Sequence, residues 1–263
     1  MDEQDDRWIA ATSLALLTAE YERIPIEALT VRWPDLPLET AYRVQEAALA
    51  RQVAGGARLV GHKAGVTSRA MQEQMGVDEP DSGVLLNHMV LPAGSTVARC
   101  ALLQPRVEAE IAFRLGCDLT GVTVGLEESR AAVKEVLLAL EVIDTRYTSW
   151  RLTVADSIAD NASCARVVTG PEVPFSAGMD LAAEQVVVSV DGTAVAAGEG
   201  RAVLGDPLHA LAWLAGRLHR RGDGLRAGQL VLAGAVHASL PLEARSTVRA
   251  HSPHLPSVEL HVR

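Results

Sequence analysis

Lysine is nearly absent from this chain of 263 residues: Lys63 and Lys134 are the only two. Basic duty otherwise falls to arginine, which raises interest in a lysine set between glycines. Aromatics are scarce too, at 4 Trp, 3 Tyr and 2 Phe, so Ala, Val and Leu must fill the core. No basic run occurs and the formal net charge is −9, which argues against nucleic acid or an anionic membrane as a partner. Cys100, Cys117 and Cys164 are isolated, without CxxC spacing. They offer no disulfide framework or zinc site and fit a reducing compartment. No uncharged apolar run approaches the ~20 residues of a membrane span. The acidic start, Met1 to Asp6, is unlike a signal peptide. The expectation is a soluble cytoplasmic protein.

A chain of this length buries roughly 70–75% of its unfolded surface without staples. Residues 7–22 and about 38–53 read as helices, the second ending at Gly55-Gly56. They predict an N-terminal helical region over 1–56. From residue 57 onward, short β-like runs alternate with Gly, Pro and Asp, which predicts a mixed-β domain over 57–263. Val187–Val195 carries an Asp191-Gly192 hairpin turn. Two helices are expected among the strands. Leu126–Leu140 reads as amphipathic, and Pro207–Arg220 has Asp206 as a candidate N-cap. The fold class is α+β.

What is present in unusual form is carboxylate. In Gln104–Phe113, Glu108 and Glu110 stand at i and i+2, and Leu140–Asp144 adds Glu141 and Asp144. In a strand, i and i+2 share a face. Acids inside apolar flanks are costly unless neutralised, and a hard divalent cation does so through oxygen ligands. The alternative is an ordinary solvated strand face. Asp144, three residues past Glu141, falls on the other face and suits a supporting role. Lys63 lies in Gly61-His62-Lys63-Ala64-Gly65, where backbone or ligand approaches closely; near a metal it could act as a base, and otherwise it is a surface lysine. Asp78-Glu79-Pro80-Asp81-Ser82-Gly83 reads first as an acidic turn, and alternatively as a loop that carries Asp81 to a site. Asp160-Asn161-Ala162-Ser163 suits helix capping or a bound carboxylate.

Together these motifs resemble the hydratase/decarboxylase branch of the fumarylacetoacetate hydrolase superfamily, over roughly residues 5 to 240. The likeness rests on Gly61–Ser68, Gly76–Leu85, Gln104–Glu110, Ala139–Arg146, Asp160–Cys164 and Leu204–Leu208 with Ala212–Ala215. It implies a mixed β-roll core, like the C-terminal domain of fumarylacetoacetase, behind the N-terminal helical layer. It further implies Mg²⁺ or Mn²⁺ on Glu108, Glu110 and Glu141, Lys63 and Asp81 as acid/base residues, and Ser163 near a bound substrate carboxylate. The implied substrate is a small 2-oxo or 2-hydroxydienoic acid from aromatic-compound degradation. The first reading is a 2-hydroxypenta-2,4-dienoate (2-keto-4-pentenoate) hydratase. The alternatives are a 4-oxalocrotonate-type decarboxylase, a member repurposed for another enol or β-dicarbonyl, and a noncatalytic partner of a pathway enzyme. A homo-oligomer is implied. Arg106, Arg146 and Arg151 are candidates for a second substrate carboxylate. The C-terminal end departs from the pattern at Glu243–Thr247 and His254–Ser257. His237 stands where a small or hydroxyl residue is common, either as a pocket residue or through loop drift.

Overall fold

A computed structural model of the chain describes residues 3–176 and 178–263. Met1 and Asp2 of the acidic start lie outside the described residues. Among the described residues the main sheet has nine strands, seven of them on one path: β1 (Leu59–Gly65), β2 (Asp81–Leu86), β3 (Val90–Pro92), β4 (Arg106–Leu115), β5 (Val133–Ile143), β6 (Cys164–Thr169) and β7 (Leu230–Ala235), while the two-residue strands Val173–Pro174 and Leu240–Pro241 pair with β5 and β4 beside it. The order along the path is β2-β1-β7-β4-β5-β6-β3. The β1–β7 and β3–β6 pairs are parallel and the other pairs antiparallel, so the sheet is mixed. A second, five-stranded sheet runs through Thr193–Glu199, Gln185–Val190, Thr247–His251, Val258–Val262 and Ser95–Val97.

Alternation explains how one sheet serves both a core and a site. Val107, Ala109, Ile111 and Phe113 of β4 join Val188, Val248, Val258 and Leu260 of the second sheet in the main core. Each such apolar side chain contributes roughly 1.5–3 kcal/mol by leaving water. Arg106, Glu108, Glu110 and Ala112 therefore face the opposite side. There Ala112 packs with Leu137, Ala139, Leu230 and Leu232 in a second cluster. This is the α+β, mixed-sheet architecture expected.

Helices α1 (Glu3–Glu22) and α2 (Leu38–Ala54) pack on each other and, through Ile9, Leu16, Tyr42 and Val44, on Val154, Ile158 and Ala159. The last three belong to α4 (Val154–Ala159), with α3 (Arg69–Met75) preceding it in the chain. The helix α5 (Pro207–His219) starts as expected, with Asp206 Oδ1 accepting from the Leu208 N–H at 2.9 Å. The Asp191-Gly192 turn has φ of 49° and 81°, the pair of positive values a type I′ turn requires.

Two expectations need correction. The Leu126–Leu140 segment is not one helix: it is helical only over Leu126–Ala132 and then becomes β5. Both faces of β5 are covered, with Val136, Leu138, Leu140 and Val142 on one side and Leu137 and Ala139 on the other. A doubly buried strand reads as a continuous apolar run, which periodicity does not separate from a buried helix. The Asp78–Gly83 stretch is a turn only at its start; Asp81 opens β2 and is 1% exposed. Helices α3 and α4 gave no readable signal, because both are short.

Candidate active site

Register brings the acids together. Glu108 on β4 lies directly across from Glu141 on β5, and Glu110 lies across from Ala139. One carboxylate oxygen from each of Glu108, Glu110 and Glu141 falls within 4.8 Å of the other two. Glu110 and Glu141 are buried and Glu108 is half-buried. Neither oxygen of Glu141 has a hydrogen-bond partner. Glu110 Oε2 accepts from the Gly234 N–H at 2.7 Å. That amide is aimed by an irregularity in β7 between Leu232 and Ala235, where Gly234 has φ +120°. A Cβ at Gly234 would stand 2.1 Å from Thr67 Oγ1, so only glycine fits this bulge.

Burial first, then the neighbouring Glu141 charge, raises the Glu108 carboxyl to about 7, and the same two causes hold Glu110 well above its ordinary value. Buried like charges this close are stable only if protonated or bridged by a cation. Three hard oxygen donors, with neither oxygen of the deepest of them hydrogen-bonded, fit a divalent cation of the Mg²⁺, Mn²⁺ or Ca²⁺ type. The donor set contains neither thiolate nor imidazole.

Lys63 and Asp81 flank this cluster. Lys63 Nζ donates to the Ala162 carbonyl at 3.0 Å and lies 3.5 Å from Glu141 Oε1. Burial works to discharge the ammonium, but the Glu141 and Asp81 carboxylates more than offset it, and the pKa is raised. Asp81 is paired across the β1–β2 ladder with Gly65, two residues beyond Lys63. A Cβ at Gly65 would sit 2.2 Å from Asp81 Oδ1 and 3.1 Å from Lys63 Nζ, so the missing side chain makes room for both groups. Ser157 Oγ donates to Asp81 Oδ2 at 2.9 Å, while the buried Oδ1 has no partner. Burial raises the Asp81 carboxyl, against the opposing pull of Lys63 and of the Ser157 hydroxyl.

The Asp160–Ser163 turn closes the far side of Lys63. Asn161, Ala162 and Ser163 all have left-handed backbones, with φ of 55°, 49° and 57°. Such a run costs of order 1–3 kcal/mol per residue and needs its surroundings to hold it. The Asn161 amide pairs with both backbone groups of Val84, at 2.8 and 2.9 Å. The buried Arg146 guanidinium bonds the Asp160 carboxylate and also donates to its carbonyl at 2.7 Å. Asp144 accepts from the Leu103 and Gln104 amides at 2.8 and 2.6 Å and so supports the loop before β4.

These groups open on a cavity of about 590 Å³, within the usual range for small-molecule sites. Lys63, Asp81, Glu108, Glu110, Ser163, Arg106 and His237 all line it, and Glu141 stands behind them. Its apolar wall includes Met71, Met75, Ile143, Trp150, Leu152 and Val236. Trp150 presents its ring, since its N–H donates to the Gln104 carbonyl at 3.0 Å. Arg106 is anchored by Nε and Nη2 on Ser239, each at 2.6 Å. His237 Nε2 accepts from the Ala109 N–H at 3.0 Å and Nδ1 lies 2.7 Å from the Ala238 carbonyl. That pairing makes the ring neutral, with its proton on Nδ1, and burial lowers its pKa. Of the other arginines considered, Arg146 is sealed on Asp160 and Arg151 is not among the lining residues.

Ser157 and Gly234 were not singled out from sequence, and Arg146 and Asp160 were named separately but not as partners. Nothing local marks Ser157 or Gly234. The Arg146–Asp160 pair carried a faint signal, as two charges in otherwise apolar segments.

A mixed-sheet fold that gathers three carboxylates, a lysine and an aspartic acid beside one cavity defines an enzyme of the fumarylacetoacetate hydrolase kind. Residues 53–263 match the model of the fumarylacetoacetate (FAA) hydrolase C-terminal family, and the chain belongs to that family. It is 38% identical over 254 residues to a 2-keto-4-pentenoate hydratase of Paraburkholderia phymatum, covering 97% of both chains. It is 36% identical to a 2-hydroxyhexa-2,4-dienoate hydratase of Comamonas testosteroni, over 91% of this chain and 92% of the other. Among solved structures, it superimposes on the 4-oxalocrotonate decarboxylase of Pseudomonas putida G7, complexed with magnesium and adipate, with a TM-score of 0.95. That pair shares 32% identity over 98% of each chain.

Proposed function

We propose that this protein is a hydratase that adds water to a 2-hydroxypenta-2,4-dienoate-type acid, giving a 4-hydroxy-2-oxo acid. The observation that carries the reading is the Glu108–Glu110–Glu141 cluster beside Lys63 and Asp81, with neither Glu141 oxygen hydrogen-bonded and Glu108 and Glu110 lining the same cavity as Lys63 and Asp81. The names of the curated relatives support it. Glu108, Glu110 and Glu141 would hold Mg²⁺ or Mn²⁺, and the cation would supply Lewis-acid stabilisation to a 2-oxo acid.

The chain's own residues supply the proton handling. Asp81 Oδ1, buried and without a partner, is placed to take or give a proton. Burial raises its carboxyl above the usual range, which makes it a better proton acceptor than an exposed aspartate. Lys63 stays charged, held by the Ala162 carbonyl and Glu141, and orients the oxygen of an enol or its conjugate base. In the proposed sequence the 2-hydroxyl proton is lost and a proton is placed on the terminal carbon, leaving an α,β-unsaturated 2-oxo acid. Water then adds at C4, and its spare proton passes to C3, which gives the 4-hydroxy-2-oxo acid. Ser163 and the half-free Arg106 guanidinium are placed to meet the substrate carboxylate. His237 shapes the wall through its backbone bonds. The apolar wall excludes bulk water from the tail.

The scarcity of basic groups in the lining favours hydration over decarboxylation of a dicarboxylate. Apart from Lys63 and Arg106, no lysine or arginine is among the lining residues, and Arg106 already spends two nitrogens on Ser239. The second reading, a 4-oxalocrotonate-type decarboxylase, draws on the likeness to the Pseudomonas putida structure. Parallel assays with 2-hydroxypenta-2,4-dienoate and 2-oxo-3-hexenedioate, with product identification, separate the two. CO₂ release from the dicarboxylate, without hydration of the dienoate, would replace the first reading by the second. A place in aromatic-compound breakdown, an oligomeric assembly and a cytoplasmic location accompany this proposal. No helix among the described residues is long and apolar enough to cross a membrane.

A further inference from the structure

The N-terminal helices mostly precede residue 53, where the family match begins, yet two side chains of α2 reach the surroundings of Asp81. Gln45 Nε2 donates to the Ser82 carbonyl at 2.9 Å and to the Ile158 carbonyl at 3.0 Å. Ser82 directly follows Asp81 and Ile158 directly follows Ser157, and Ser157 Oγ is the donor to Asp81 Oδ2. A single amide nitrogen therefore ties together the two backbones whose side chains make the Ser157–Asp81 hydrogen bond. One turn earlier, Tyr42 Oη accepts from both the amide and the hydroxyl of Ser82, each at 3.2 Å. The Arg217 guanidinium sits 3.8 Å from the Tyr42 ring centroid and pins the ring. Gln45 is 4% exposed and Tyr42 6%.

Packing alone does not call for an amide here. An apolar side chain of the same length would fill the space, and a buried amide is costly unless its bonds are made. Both protons of Gln45 Nε2 are spent, on carbonyls from two separate elements. We infer that Gln45 and Tyr42 are positioning residues that set the Asp81–Ser157 spacing, so that the N-terminal helices serve as the frame for proton transfer at Asp81. This rests on reading Asp81 as the proton carrier of the proposed reaction.

The test is Gln45→Met, made alone and with Ser157→Ala, together with Tyr42→Phe, which removes a single oxygen and guards against a Gln45→Met chain that does not fold. Dienoate turnover is measured at saturating Mg²⁺, and Mg²⁺ binding by titration calorimetry. A displacement of ~1 Å in a reacting group costs about 10²-fold. Gln45→Met is thus expected to lower kcat roughly 10- to 100-fold, and Tyr42→Phe by less. KM is expected to stay within about threefold, and Mg²⁺ affinity to be unchanged. Because the effect runs through Ser157, Gln45→Met is expected to cost about twofold or less when Ser157 is already alanine. Full, multiplicative losses in the double variant would overturn the inference, as would a kcat within twofold of wild type in both Gln45→Met and Tyr42→Phe. A wild type silent on the dienoate overturns the reading of the site and this inference with it, whereas an active wild type matched by both variants overturns the inference alone.

Discussion

Replacing Glu110 by Gln should make the metal-free protein more stable while removing its capacity to bind a cation. Glu110 sits with Glu108 and Glu141 inside 4.8 Å. At an effective permittivity of about 20, two full charges at that separation repel by ~3 kcal/mol. The folded chain relieves part of this by holding protons, which is why Glu108 and Glu110 are both raised. A carboxyl raised by folding favours the folded state below its ordinary pKa, and the benefit is lost as pH rises through the folded value, here near 7 for Glu108. Metal-free wild type should therefore melt at a higher temperature at pH 5.5 than at pH 8. Glu110→Gln deletes one charge and keeps an oxygen for the Gly234 N–H. At pH 8 in EDTA it should gain about 2–3 kcal/mol, an increase in Tm of roughly 4–10 °C for a chain of this size. The gain should shrink at pH 5.5. Saturating Mg²⁺ should raise the wild-type Tm and leave the variant nearly unmoved. The assay is differential scanning fluorimetry over these four conditions. A Glu110→Gln protein that melts below wild type in EDTA at pH 8 would refute the reasoning, since the carboxylates would then not be in electrostatic conflict.

Three further outcomes follow from the same geometry. Gly65→Ala, which places a methyl 2.2 Å from Asp81 Oδ1, should lower kcat at least 100-fold with little change in Mg²⁺ affinity; near-wild-type turnover would show that Asp81 is free to move. Apparent Mg²⁺ affinity should rise with pH through the region of 7, because Glu108 and Glu110, both raised, must release their protons to act as ligands; calorimetry in buffers of different ionisation enthalpy would show that release, and a flat profile would contradict it. Arg146→Met leaves Asp160 buried without its guanidinium, so urea unfolding should show a loss of about 3–5 kcal/mol; adding Asp160→Asn should recover part of it, and a single variant as stable as wild type would mean that the left-handed turn holds itself.

The parts of the site legible in the sequence were those set by period-two alternation. Glu108 and Glu110 share a face because strands alternate, and their apolar neighbours Val107, Ala109 and Ile111 belong to the opposite, fully buried face. Glu141 could be paired with them only by register, which no local pattern specifies. The doubly covered β5 hid its strand character for the same reason that it is a good central strand: each side has apolar partners. Lys63 was marked by its glycines, and the structure gives the reason at Gly65, where a Cβ would collide with Asp81. Asp81 itself looked like part of a turn because Asp78-Glu79-Pro80 precedes it, although its burial is decided by helices α2 and α4 from distant parts of the chain. The supports at Gln45, Ser157 and Arg146 act across separations of 37, 76 and 14 residues respectively, beyond any sequence window.

The most direct measurement of the central claim is dienoate turnover by protein stripped of metal and then reconstituted. Loss of the 2-hydroxypenta-2,4-dienoate ultraviolet absorbance is followed in EDTA and after Mg²⁺ or Mn²⁺ is restored, with the product identified. The account predicts no turnover in EDTA, recovery on restoring the cation, formation of 4-hydroxy-2-oxopentanoate, and no recovery when Glu108 is replaced by Ala. Hydration that persists in metal-free protein, or that survives in Glu108→Ala, would contradict it.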